Sequence, residues 1–284
     1  MSYFTGKDMF LLPDGSTYHL GVKKGDIFPR IITVGCYTRA KVLSELLDKD
    51  KPIRAITSSR DFHIYSGYFN GVGISIIGIG MGSPLMDFMV REATFVQQGP
   101  MAIIRFGTCG IFHKDALPGT LMTCGKGSMY VYVNYNHFCG SLDSRQDTSS
   151  PYLVTKSIPT SSKLNELLVN EIQKERLKNV DGLNACGETF YSCQARKDQE
   201  FYDENEGLMK TLMDAKIDSM DMETHQLFFL SKIRKDPCYV AAALIGIVNR
   251  VNLDITTNIS ADEMHEIVAK GGRCCLEALS KFQL

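Results

Sequence analysis

Short apolar runs alternate with amphipathic stretches from residue 30 to the end of the chain. The runs are too short for surface helices and several are bounded by Gly or Pro, so they predict strands. The predicted strands cover 30–35, 53–57, 63–69, 73–79, 101–104 and 239–248, and two more lie between 117 and 133. Apolar positions at helical spacing predict helices over 39–48, 84–98, 162–175, 221–233 and 261–279.

Strands that alternate with helices in this way indicate one α/β domain over residues 1–284, with a mixed sheet. Residues 1–17 show no period and predict an irregular arm. Residues 134–151 are polar and rich in Ser, which predicts a flexible surface loop.

Three helix starts carry capping residues. Ser260 and Glu263 have the spacing of a capping box. Ser83 precedes Pro84, which suits the first helical position, so Ser83 is the predicted N-cap of that helix. Thr38 is the predicted N-cap of the first helix.

The apolar run that begins at Met101 ends abruptly in Arg105, followed by Gly107 and Gly110. We expect these glycines to turn the backbone with positive φ and to bring N–H groups close to a ligand. An arginine at the end of a buried strand needs either a carboxylate partner or a bound anion. This stretch alone is compatible with both.

Arginines recur just after the predicted strands or their turns, as Arg39, Arg60, Arg105 and Arg250. In α/β sheets ligands bind at the carboxyl ends of the strands, so we expect these side chains to converge. The guanidinium fork matches the oxygens of a phosphate group. The pattern therefore favours an oxyanion site.

Other reactive residues leave alternatives open. The nine cysteines are odd in number and contain no C-x-x-C pair, which indicates free thiols rather than a disulfide scaffold or a zinc site. Cys109 in the Gly-rich stretch is a candidate nucleophile, because such loops can lower a thiol pKa. His19 suits a structural or a functional role. Asp221 and Glu223 either favour a helix dipole or serve a site.

Charge and hydropathy exclude several classes of protein. The 31 Lys and Arg residues balance the 32 Asp and Glu residues, so a non-specific nucleic-acid surface or an anionic-membrane surface is not indicated. No apolar run approaches the roughly 20 residues that span a bilayer, and residues 1–13 lack the pattern of a signal peptide. We expect a soluble, cytoplasmic protein.

Seven short motifs follow one another along the chain. They are Gly35 with Arg39, Arg60, Gly-Met-Gly-Ser-Pro at 80–84, Arg-Phe-Gly-Thr-Cys-Gly at 105–110, Thr-Phe-Tyr-x-x-Gln-x-Arg at 189–196, Met-Glu at 222–223, and Val-Asn-Arg at 248–250. In this order they resemble the first family of nucleoside phosphorylases, from residue 18 to the final helix. The Gln-x-Arg and Val-Asn-Arg elements are similar to the uridine phosphorylase branch, whereas purine-specific relatives typically place an aspartate where this chain has Asn249 and Arg250.

The resemblance implies a three-layer α/β/α sandwich and the reversible conversion of uridine and phosphate to uracil and ribose 1-phosphate. Inorganic phosphate is then a co-substrate and no cofactor is expected. The residues implied to bind phosphate are Gly35, Arg39, Arg60, Arg105 and Thr108. Those implied to bind the nucleoside are His19, Phe190, Gln194, Arg196, Met222, Glu223 and Arg250. Arg105, Gln194, Arg196 and Glu223 are the implied catalytic residues. A homo-oligomer, at least a dimer, is implied, with His19 and Arg60 donated across the interface.

Some positions depart from the family pattern. Cys36 and Tyr37 replace the usual Asp-Pro or Ser-Pro, and Asp221 stands where a longer glutamate is common. Some bacterial relatives hold a monovalent cation with a carboxylate and a hydroxyl. Asp61 supplies a carboxylate here, but Leu85 occupies the hydroxyl position, so no metal is predicted. A purine nucleoside phosphorylase and a non-catalytic nucleoside-binding protein of the same fold are the alternatives.

Overall fold

A mixed sheet of 12 strands forms the centre of the part of the chain that the computed structural model describes, residues 9–139, 149–252, 254–255 and 258–284. Residues 1–8 of the predicted arm and 140–148 of the predicted loop lie outside this part. The strands are β1 Arg30–Val34, β2 Arg54–Thr57, β3 His63–Phe69, β4 Val72–Gly78, β5 Met101–Ile111, β6 Leu121–Thr123, β7 Ser128–Val133, β8 Tyr152–Val154, β9 Asn179–Asp181, β10 Asn184–Gly187, β11 Ser219–Asp221 and β12 Cys238–Asn249.

Helices cover both faces of the sheet. They are α1 Tyr37–Ser44, α2 Ser83–Val96, α3 Ser162–Lys174, α4 Leu208–Asp214, α5 Thr224–Ile233 and α6 Ala261–Lys281. One apolar cluster joins α1, α3 and α6 to one face of the sheet, and another joins α2 and α5 to the opposite face. Because alternate residues of a strand point to opposite faces, Ile103 packs in the second cluster and Ile104 in the first. The predicted three-layer α/β/α fold is confirmed.

The long strand β5 positions the functional residues. It pairs in parallel with β12 along its whole length and with β1 from Ala102 to Phe106. Where β1 ends, β11 takes over that edge of β5 in the antiparallel direction, at Gly110 and Ile111. Between Phe106 and Gly110 neither strand pairs with this edge. The interruption opens a cavity at the carboxyl end of the parallel strands.

Several element boundaries differ from the predictions. The first helix ends at Ser44 rather than at residue 48, and its N-cap is Cys36 instead of Thr38. The N-cap of α2 is Gly82, so the prediction of Ser83 is wrong; Ser83 is the first helical residue. The capping box at the start of α6 is confirmed, since the Ser260 side chain and the Glu263 side chain each bond to the other's backbone N–H. Four short strands, β8 to β11, and helix α4 were not predicted, because each is too short to show a period.

The described helices also bear on membrane association. None of them combines the length and the apolar character that crossing a bilayer requires.

Candidate active site

A cavity of about 230 Å³ lies where the carboxyl ends of β1, β5 and β12 meet the loops from the other half of the sheet. It is lined by Gly35, Cys36, Arg39, Met81, Arg105, Thr108, Cys109, Gly110, Phe190, Gln194, Arg196, Met220, Asp221, Met222, Glu223, Ile247 and Val248. Twelve residues were predicted from the sequence to bind phosphate or nucleoside, and nine of them line the cavity. His19 and Arg60, predicted to come from a neighbour, and Arg250 do not.

Arg105 and Glu223 form a buried ion pair in the floor of the cavity. Arg105 Nη2 donates to Glu223 Oε2 at 2.7 Å, and the two side chains are 3% and 5% exposed. The carboxylate partner that the sequence analysis left open is therefore present. Yet Nε and Nη1 of Arg105 are buried without a hydrogen-bond partner among the described residues. Buried donors of this kind normally have partners, so Arg105 has capacity left for an anion in the cavity.

The turn between β4 and α2 holds Glu223 from the other side. Gly82 N donates to Glu223 Oε1 at 2.5 Å, and Ser83 Oγ donates to the carbonyl of Met222 at 3.2 Å. Gly80 and Gly82 have φ angles of 81° and 101°, which L side chains rarely adopt. The glycines of this turn thus allow the backbone to reach and fix the 222–223 segment.

The glycines near Arg105 act differently from the prediction. Gly107 and Gly110 remain in β5 and do not have positive φ, so the predicted anion-binding turn is wrong. A Cβ on Gly107 would lie 2.9 Å from Leu244 Cδ2 and 3.2 Å from Arg105 Nε. A Cβ on Gly110 would lie 3.2 Å from Arg250 Cγ. These glycines make room for two arginine side chains, while the strand runs on unbroken.

Arg39 brings a second guanidinium to the cavity from the first turns of α1. Its Nη1 donates to the carbonyl of Phe106 at 3.2 Å. Burial lowers the pKa of Arg39, and the charge of Arg105 acts in the same direction. The positive charges of these two neighbouring guanidinium groups favour a bound anion between them. Gly35 and Thr108 line the same part of the cavity.

Asp221 is a buried acid beside this cluster. Thr224 donates to its Oδ2 through the backbone N at 3.1 Å and through Oγ1 at 2.6 Å. Burial, followed by the negative charge of Glu223, raises the pKa of Asp221 to about 7. Helix α5 begins after Glu223, which is its N-cap and directs its carboxylate at Arg105 and Gly82. Glu223 thus belongs to the site rather than to the first helical turn.

A loop over residues 190–196 closes the opposite end of the cavity. Gln194 is 3% exposed, whereas Phe190 is 45% exposed. The Arg196 guanidinium lies over the Phe190 ring, with Cζ 4.2 Å from the ring centroid. Burial lowers the pKa of Arg196, and its Nε is buried without a partner among the described residues. This end therefore presents an amide, a cation and an aromatic face.

Arg250 lies behind this loop rather than in the cavity. Its Nη2 donates to the carbonyl of Gln194 at 3.0 Å, and its guanidinium lies 5.7 Å from the centroid of Phe112. In this arrangement it contacts the backbone of the loop. Direct contact of Arg250 with a nucleoside stays a prediction.

His19 and Arg60 lie together on the surface of the chain. His19 stacks on Phe88 of α2 with ring centroids 3.8 Å apart, and its Nδ1 lies 2.6 Å from Glu92 Oε1. Arg60 Nη2 donates to Tyr18 OH at 2.6 Å. Their proposed donation to a neighbouring subunit stays a prediction.

Two features of the cavity could not be read from the sequence. The register between β12 and β5 shifts between Gly246 and Val248, and the half-exposed Ile247 and Val248 line the cavity although they end an apolar strand run. Met81 is 75% exposed at its rim. A pattern of apolar residues alone does not reveal a bulge, so the sequence predicted only an apolar strand at Ile247 and Val248.

Thiol chemistry has little support. Burial, with the negative charge of Asp221, raises the pKa of Cys109 well above its usual value, which suppresses the nucleophilic thiolate. All nine cysteines are free. Within the described ranges, no group of three or more His, Cys, Asp or Glu side chains has the arrangement of a metal site.

Comparison with known proteins agrees on one family. The sequence model of the phosphorylase superfamily matches residues 29–283. A solved structure from a study of two uridine phosphorylases of the oomycete Phytophthora capsici is 33% identical, covers 100% of both chains and has a TM-score of 0.93. A Trypanosoma brucei nucleoside phosphorylase, whose structure is described as showing uridine phosphorylase activity, is 20% identical over 97% of this chain and 100% of that chain, with a TM-score of 0.79. At this lower identity the likeness concerns the fold.

Curated relatives include both nucleobase classes. The uridine phosphorylase of Haemophilus influenzae is 23% identical over 256 residues, which cover 88% of this chain and 92% of that protein. A DeoD-type purine nucleoside phosphorylase of Caldanaerobacter subterraneus is 34% identical over 122 residues, which cover 43% of this chain. The match spans 51% of the length of that purine relative.

Proposed function

Because the chain belongs to the phosphorylase superfamily and is a nucleoside phosphorylase, a pentosyltransferase, we propose that its nucleoside is uridine. The reaction is the reversible phosphorolysis of uridine to uracil and ribose 1-phosphate, as in pyrimidine salvage. One observation carries the proposal: a single cavity contains an arginine cluster with spare donors at one end and the Gln194–Arg196 pair at the other. Cytoplasmic location and a homo-oligomer remain predictions.

The cluster at the first end suits phosphate and ribose. Arg39 and Arg105 hold the phosphate, with Thr108 and Gly35 beside it, and Glu223 accepts hydrogen bonds from the ribose hydroxyls. Held in line with the sugar, the phosphate oxygen attacks C1′ while the bond from C1′ to N1 of uracil breaks. Negative charge beside the sugar stabilises its electron-poor, oxocarbenium-like transition state.

The second end suits the departing base. The bonding electron pair leaves with uracil, which becomes an anion and then takes a proton from solvent. Gln194 and Arg196 bind the polar edge of uracil and stabilise that anion, and Phe190 stacks against the base or sugar. This chemistry uses no covalent enzyme intermediate. It agrees with the suppressed thiolate of Cys109.

A purine nucleoside phosphorylase is the second candidate, since a purine enzyme is 34% identical to part of the chain. Against it stands Asn249, in the loop where purine-specific relatives typically carry an aspartate. Asn249 Nδ2 donates to the carbonyls of His113 and Ala116 at 3.0 and 2.9 Å, so the amide is already engaged in the structure. A non-catalytic nucleoside binder would be expected to lack an anion-site arginine or Glu223, and both are present.

Release of uracil from uridine and of hypoxanthine from inosine separates these functions. We expect uracil release that depends on inorganic phosphate, with much slower cleavage of inosine. Faster cleavage of inosine would replace the uridine assignment with the purine one. Phosphate-dependent cleavage of neither nucleoside would contradict the enzymatic proposal.

A further inference from the structure

The 190–196 loop carries the base-binding side chains, but little regular structure holds it. Its regular element is a short 3-10 turn over Ser192–Gln194. Ala195 has φ 53°, in the left-handed region, and the amide of Arg196 bonds back to the carbonyl of Tyr191 at 3.0 Å. A loop of this kind depends on side chains from elsewhere for a single conformation.

Two side chains bind three carbonyls of this loop. Asn205 Nδ2 donates to Ser192 O at 3.2 Å and to Arg196 O at 2.9 Å. Arg250 Nη2 donates to Gln194 O, which lies between them in sequence. Asn205 is 6% exposed and does not line the cavity. Asn205 thus binds the backbone on either side of Gln194 but lies outside the binding cavity.

The position of Asn205 is itself fixed by the sheet. Tyr152 OH, at the start of β8, donates to the carbonyl of Asp203 at 2.7 Å. His137 Nε2 lies 2.8 Å from Glu204 Oε2, and Glu204 has φ 51°. The carbonyl of Asn205 accepts a bond from Leu208 N at the start of α4. The Asn205 side chain is thus a donor held in place by its neighbours, and it faces the irregular 190–196 loop.

We propose that Asn205 is a positioning residue that fixes Gln194 and Arg196 for recognition of the nucleobase. It acts through the loop backbone and does not touch the substrate. The inference rests on the proposed function for the identity of the nucleoside, uridine. It predicts in addition that a substitution of Asn205 weakens binding of the base and leaves binding of phosphate unchanged.

The variants Asn205→Ala and Asn205→Asp test this role. Both remove the donor, and Asn205→Asp keeps the shape of the side chain, so the pair separates donation from packing. We expect each to raise the KM for uridine about tenfold or more, because two hydrogen bonds that order the loop are lost. The KM for phosphate should stay within about twofold of wild type, which also shows that the variant folds.

Asn179→Ala is the matched control. Asn179 Nδ2 likewise donates two bonds, to Leu121 O at 2.9 Å and Thr123 Oγ1 at 3.1 Å, but it joins β6 to β9 outside the cavity. We expect it to lower the melting temperature and leave both KM values near wild type. Equal rises in both KM values for the Asn205 variants would overturn the proposal, as would a wild-type KM for uridine in Asn205→Asp.

The role of Asn205 can be tested even if the chain does not cleave uridine. If wild type cleaves inosine instead of uridine, the uridine assignment fails and the same comparison of KM values is made with inosine. If it cleaves neither, calorimetric binding of uracil and of phosphate replaces the two KM values. Loss of uracil binding with unchanged phosphate binding in the Asn205 variants supports the inference, and equal changes contradict it.

Discussion

The two ends of the cavity are built in different ways. The proposed phosphate end takes Arg105 from the middle of the sheet and pairs it with Glu223, so its geometry follows from strand pairing and a buried ion pair. The proposed base end takes Gln194 and Arg196 from the 190–196 loop, whose backbone accepts hydrogen bonds from Asn205 and Arg250. On the proposed function, charge provides the affinity for phosphate at the first end, whereas selectivity for the base at the second end depends on the conformation of a loop.

This difference predicts which substrate a change will affect. Loss of a charge at the phosphate end removes transition-state stabilisation for every nucleoside. Loss of a polar group at the base end discriminates between nucleobases, because it leaves one edge of a particular base without partners. Substitutions at the two ends can therefore be compared directly in the same assay.

Substitution of Arg105 should have the largest effect. We expect Arg105→Ala to lower kcat/KM about a thousandfold, since it removes donors to the phosphate and the partner of buried Glu223. Phosphorolysis of uridine measured over a range of phosphate concentrations tests this. Arg105→Lys, which keeps the positive charge but not the guanidinium fork, should retain more activity than Arg105→Ala.

Arg91→Ala is the control for this prediction. Arg91 is an exposed arginine on α2 that pairs with Asp87 four residues earlier, at 2.9 Å. Its removal should leave kcat/KM unchanged, because exposed pairs contribute little. Activity of Arg105→Ala within a few fold of wild type would show that Arg105 is only a structural partner of Glu223.

Substitution of Gln194 should have a smaller and more selective effect. We expect Gln194→Leu to lower kcat/KM for uridine about a hundredfold, because the polar edge of uracil is left unpaired in a buried site. The KM for phosphate should change little. Gln173→Leu, at an exposed position on α3, is the control. Unchanged uridine kinetics in Gln194→Leu would remove the main argument for pyrimidine specificity.

The same contrast governs what could be predicted from the sequence. Arg39 and Arg105 follow apolar runs that are unmistakable strands, and the carboxyl ends of parallel strands converge by geometry. Their meeting in one cavity was predictable from the residues. The local conformation was not, because Gly107 and Gly110 make room for side chains instead of forming a turn. A glycine that makes room for a side chain and a glycine that turns the backbone cannot be told apart in the sequence.

The proposed base end was predicted through family resemblance alone. Residues 189–196 have no period. Two of the side chains that hold their backbone come from outside the segment: Asn205 lies 9 residues from Arg196, and Arg250 lies 56 residues from Gln194. Asn205 lies in a polar stretch where an asparagine is unremarkable. A contact between a side chain and a backbone carbonyl outside regular structure depends on how the chain folds around it, so spacing along the chain does not reveal it.

The buried charged groups at the proposed phosphate end should also make the free energy of unfolding depend on pH. In the native chain burial raises the pKa of Asp221 to about 7, whereas an unfolded Asp titrates near 4. Between these values the native state binds the additional proton, so the free energy of unfolding falls as the pH rises. The stabilising contribution is complete below about pH 4 and is lost as the pH rises through about 7.

Asp221→Asn removes this proton equilibrium while its amide oxygen can still accept the bonds from Thr224. We expect the stability of the variant relative to wild type to increase by about 2 kcal/mol between about pH 4 and about pH 5.5. Urea unfolding at both pH values measures it, and Asp214→Asn, at an exposed position on α4, should follow wild type. Parallel behaviour of Asp221→Asn and wild type would mean that Asp221 is ionised in the native cavity. The proposed phosphate end would then hold two carboxylates, Asp221 and Glu223, beside Arg39 and Arg105. Less net positive charge would remain there for phosphate than the base end has for uracil.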